Sequence, residues 1–125
     1  MNKDLIELVL PRLAKRLHNQ LRRYHAGELD QDGFTRDFED LLQRQYAWLA
    51  KRGVPEAEAA VAIHGAVLVL SGPGLRAEAE QLELPLEVIE YRAVRAAAAD
   101  IASNYGVSER RAVRQIGAIL AQYAE

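Results

Sequence analysis

The sequence predicts an all-α protein, a single compact bundle of five to six helices with short connections. Three observations carry this. Apolar residues recur at three- and four-residue spacing along the chain, with no sustained two-residue alternation. Alanine is the commonest residue, and no residue favours a helix more. Glycine and proline gather at "HAGELDQDGF", "RGVP", "SGPG" and "LELPLE", which divide the helical pattern.

The first helix is expected from about Asp4 to Tyr24, with Ile6, Leu10, Leu13, Leu17, Leu21 and Tyr24 on its inward stripe. Pro11 either kinks it or begins its regular part. Gly27 suits a left-handed stop, and Asp30 suits an N-cap, with Leu29 and Phe34 placed for a hydrophobic staple. The second helix follows to about Arg52, burying Phe34, Phe38, Leu41, Leu42, Trp48 and Leu49.

Pro55 opens a third helix, "EAEAAVAIHGAVLVLS", apolar nearly all round and therefore central. "SGPG" stops it. A short helix from about Leu75 to Leu82 leads to Pro85, which starts a fifth helix reaching Tyr105. Gly106 ends that helix, Ser108 caps the next, and Val113, Ile116, Ile119, Leu120 and Tyr123 are expected to point inward.

At 125 residues the chain fits one domain, 1–125, with 75–124 as a candidate DNA-binding subregion. It has no cysteine, which excludes disulfides, thiolate metal sites and cysteine nucleophiles. Asp4 and Glu7 interrupt the start where a signal peptide needs an apolar run. The longest uncharged run, Ala59 to Leu75, contains His64 and breaks at "SGPG", so no membrane span is expected. The reading is a cytoplasmic protein without membrane partners.

Net charge is −2, but it is divided unevenly. Residues 1–27 carry six Lys/Arg against two acids, and residues 28–58 carry four against eight. Residues 59–90 carry one against five, and residues 91–125 five against three. Both ends are basic and the middle is acidic. A local basic face can hold phosphates despite a negative total, because screening leaves only nearby charges in play.

Several constellations fall short of chemistry. "ELDQDGFTRDFE" can be laid on a calcium loop, but it starts with Glu28 and puts Arg36 where a ligand belongs. His18 and His25 are two helical turns apart, about 10 Å, too far to chelate one ion alone. His64, on the most apolar helix, needs a hydrogen-bond partner, for which Asp100 is the candidate in a buried structural pair. "SGPG" lacks the ending and the preceding strand of a phosphate-binding loop. No enzyme, cofactor or metal is expected.

The stretch "ADIASNYGVSERRAVRQIG", residues 99–117, carries the sharpest functional signal. Ala102 is the small residue where two helices cross, Ile101 and Tyr105 are anchors, Gly106 is the turn, Val107 the apolar plug and Ser108 the cap. "IASNYGVS" thus resembles the helix-turn-helix motif of bacterial DNA-binding regulators, over residues 98–117. The second helix departs from that pattern. Apolar residues belong at Ala112 and Gln115, while the heavier ones stand at Val113 and Ile116, a rotation of about 100°.

With Val113 and Ile116 inward, Arg110, Arg111, Arg114 and Gln115 face outward. Arginine forks onto guanine or phosphate, and glutamine onto adenine. Arg92 and Arg95 would hold backbone phosphates beside them. The competing reading is a non-enzymatic protein–protein interaction module, such as an adaptor, an inhibitor or a homo-oligomer. In it an acidic 28–40 or 78–90 region meets the Lys15/Arg16/Arg22/Arg23 surface of another copy.

Overall fold

A computed structural model describes residues 3–123 as six helices. They are α1 (Lys3–His25), α2 (Gln31–Lys51), α3 (Glu56–Leu70), α4 (Gly72–Leu82), α5 (Leu86–Tyr105) and α6 (Glu109–Tyr123). No strand occurs among the described residues. The all-α expectation holds.

α3 is the axis of the bundle and packs on all five other helices. The apolar character of all its faces is the reason: Ala59 to Ile63, Gly65 and Ala66 are buried together. Such a helix can satisfy its surface only by being surrounded. α1 and α2 cover one part of it, and the α5–α6 pair covers another.

Local signals set most boundaries. The Gly33 amide donates to Asp30 Oδ1 at 2.7 Å, so Asp30 caps α2 as expected. Residues 31–39 are therefore helix, a geometry incompatible with a calcium loop. α1 runs unbroken through Pro11. α4 begins at Gly72 rather than Leu75, with Pro73 in its first turn. "SGPG" is thus not a loop: α3 and α4 are parted by Ser71 alone and are bent 60° from each other. α4 ends on Glu83, a non-glycine residue in the left-handed region (φ 55°), and the Leu84 amide closes the turn onto the Ala79 carbonyl at 3.0 Å.

The inward stripe of α1 requires correction. Leu5, Ile6, Val9 and Leu13 are buried, whereas Leu21 and Tyr24 are exposed. α1 is eight residues longer than α3, about 12 Å, and its buried residues all lie in its first half. α2 alone flanks that end, where Tyr24, Phe34 and Phe38 form an aromatic run.

In α2, Leu41 and Leu49 are buried, while Phe34, Phe38, Leu42 and Trp48 are half-buried. Gln45 is fully buried, which its spacing alone did not reveal. Arg12 Nε donates to its Oε1 at 3.2 Å, and the same guanidinium lies 3.9 Å over the Trp48 ring. This joins α1 to α2 by a charge-assisted contact in place of apolar packing.

Candidate nucleic-acid interface

α5 and α6 form a tight hairpin. Gly106 sits in the left-handed region (φ 68°, ψ 16°), where a side chain would clash with its own backbone. Ser108 Oγ accepts from the Arg111 amide at 3.4 Å, capping the first turn of α6. Ala98 and Ile101 are fully buried on α5, and Tyr105 and Val107 are half-buried at the turn.

The expected rotation of α6 is corrected. Its buried residues are Ala112, Ile116, Ile119 and Leu120, while Val113 is only half-buried. α6 is wedged between α5 and α3, so two neighbours, rather than its heaviest side chains, decide which arc is buried. The close approach to α3 is visible at Gly65, over which the Ile119 side chain lies.

Arg110, Arg111 and Arg114 are all exposed. Among the described residues, no carboxylate stands within salt-bridge distance of them. Gln115, expected outward, is half-buried instead. It lines a cleft of about 160 Å³ with Ala57, Glu58, Val61, Val107 and Arg111, because the start of α3 reaches that side of α6. Glu58 there reduces the positive potential around Arg111.

On α5, Arg92 and Arg95 are both exposed. Arg95 is engaged: its Nη2 lies 3.8 Å from Glu109 Oε1, and its guanidinium sits 5.9 Å over the Tyr91 ring. That ion pair draws the arginine stripe of α5 to the head of α6. Arg92 has no such partner among the described residues.

The histidines divide as their positions dictate. His18 and His25 are exposed on α1, and no cluster of three metal-ligating side chains occurs among the described residues. His64 does meet Asp100, Nε2 to Oδ2, at 3.5 Å. The pair is not buried, however: the Asp100 side chain is 58% exposed, since α5 turns it to the rim of the α3–α5 seam. Asn104 Nδ2 holds the same carboxylate at 3.1 Å. Burial pushes the His64 pKa below its usual value, and the Asp100 charge partly opposes this.

Beside this pair the rings of Tyr46 and Tyr105 stack at 6.5 Å. Burial first, then the neighbouring Tyr105 and Asp100, push the Tyr46 phenol pKa up. Sequence reading named His64 and Asp100 but not the Tyr46–Tyr105 stack beside them, which joins α2 to the end of α5. A larger cleft of about 290 Å³ lies between α1 and α2, where Arg23 pairs with Asp37 at 3.6 Å and Arg44 with Asp40 at 2.9 Å, while Arg16 has no carboxylate within salt-bridge distance among the described residues.

The chain matches no family model, no curated protein and no solved structure. No single helix among the described residues is long and apolar enough to cross a membrane.

Proposed function

We propose that the chain is a cytoplasmic DNA-binding regulator that docks the α5–α6 hairpin on a duplex. The observation that carries this reading is the set Arg110, Arg111 and Arg114 on the first half of α6, exposed and without ion-pair partners among the described residues. A helix entering a major groove presents its N-terminal residues to base edges. Burial of Ile101 and Ala112 supports the resemblance to a helix-turn-helix, since both occupy anchor positions of that pattern.

In this reading Arg110, Arg111 and Arg114 contact guanine or phosphate, and Arg92 holds the backbone. Arg95 joins it on leaving Glu109, and Gln115 serves at the groove edge from its half-buried place.

The test is fluorescence anisotropy of a labelled random-sequence duplex at about 50 and 200 mM salt. Binding that weakens steeply with salt is expected, with the log–log slope falling by about one for each arginine removed. The double substitution Arg111→Glu and Arg114→Glu should abolish binding and leave the helical signal unchanged. Retained affinity in that variant, or no binding at low salt, overturns the proposal. A second reading, a protein interaction module, is favoured by the exposed apolar residues of the α4–α5 corner.

A further inference from the structure

The chain exposes two apolar patches of opposite electrostatic setting. At the α4–α5 corner, Leu82, Leu84, Val88 and Tyr91 are all exposed, Tyr91 by 56%. Glu80, Glu83 and Glu87 stand exposed among them. At the C-terminal end of α1, Leu21 and Tyr24 are exposed, Tyr24 by 40%. His18 and His25 share their stripe by helical spacing, and Arg22 and Lys15 flank it.

Of the acids around the α1–α2 turn, Glu28, Asp30 and Asp37 are already committed, whereas Asp32 is exposed and forms no ion pair among the described residues. Arg23 holds Glu28 at 3.5 Å and Asp37 at 3.6 Å, and Asp30 caps α2. Arg22 and Lys15 have no carboxylate within salt-bridge distance among the described residues. Among the described residues neither this rim nor Glu80, Glu83 and Glu87 form ion pairs, although Arg92 and Arg95 stand exposed on the Tyr91 side of the corner. Neither patch covers the other, since both are exposed.

We infer that these patches are the two halves of one interface, which joins copies of this chain head to tail. The α1 end of one copy, centred on Leu21 and Tyr24, seats on the Leu84–Val88–Tyr91 surface of the next. Arg22 then faces the glutamates of the corner. Apolar centres with a charged rim of opposite sign satisfy what a specific interface needs. A two-fold pairing of the corner would instead set its glutamates against each other. Because the joined surfaces differ, the contact does not close on itself at two copies, and it grows into rings or chains. This inference is independent of the nucleic-acid reading.

The experiment is sedimentation velocity of the full chain across a concentration series, with the variants Leu21→Asp and Leu84→Asp. Wild type should rise in mass with concentration, past the dimer, and less so at high salt. Each variant alone should lose more than about tenfold in association strength. An equal mixture of the two retains one sound patch of each kind and should form a one-to-one dimer that grows no further. If either variant loses its helical signal, Arg22→Glu and Val88→Asp, at exposed positions, take their places. Wild type that stays monomeric overturns the inference, as does a mixture that stays monomeric. Loss of association in Leu84→Asp but not in Leu21→Asp also overturns it, in favour of two-fold pairing.

Discussion

Gly65 of α3 and Ile119 of α6 interlock: a methyl group added to Gly65 would stand 2.6 Å from Ile119 Cδ1 and 3.0 Å from its Cγ2. Ile119 is 1% exposed, so any withdrawal of its side chain must displace packed neighbours. The missing methyl group of Gly65 therefore sets how closely α6 approaches the central helix, and so where the α6 arginines stand.

Gly65→Ala should destabilise the protein. Overpacking costs about 1–3 kcal/mol, and the better helix propensity of alanine returns about 1 kcal/mol. Chemical denaturation checks the net loss. Shortening the opposing side chain by Ile119→Val in the same variant should recover part of it. A raised midpoint in Gly65→Ala would show that the two helices do not meet this closely.

Gly117, in the same helix as Ile119, should behave oppositely. A methyl group there meets nothing within 4 Å. Gly117→Ala should raise stability by up to about 1 kcal/mol, because only the propensity term remains. A destabilised variant would place an unseen neighbour over this part of α6.

His64 should make stability depend on pH. Its pKa is lowered in the folded state, so between that value and about 6.5 the unfolded chain binds more protons. Its contribution is therefore fully present above about 6.5 and declines as pH falls through that window. NMR titration of the imidazole should place His64 below the ordinary histidine value of about 6.5. Asp100→Asn should move it lower still, since the carboxylate opposes the shift. A His64 that titrates above about 6.5, or that ignores Asp100→Asn, contradicts the burial assigned to it.

The positions readable from sequence are those whose physics is local. The Asp30 cap acts over three residues, the left-handed Gly106 over one, and Pro55 and Pro85 stand immediately before α3 and α5. α4 began earlier than expected because Pro73 reads equally as a stop for one helix and as the first turn of another. The arginines of α6 were identified correctly as exposed, but Gln115 was not, since the wall beside it belongs to α3, some fifty residues away in the chain.

By itself, then, the sequence determined the fold class, the order of helices and nearly every stop and cap. These follow from periodicity and from hydrogen bonds that close within a turn. The tertiary structure alone decided which arc of each helix is buried. α1 buries Leu5, Ile6, Val9 and Leu13 in its first half and leaves Leu21 and Tyr24 exposed near its end, although the apolar stripe runs through both. α6 buries Ala112 more fully than Val113 because it lies between two neighbours. Burial is a property of what stands opposite a side chain, and a single sequence does not state that.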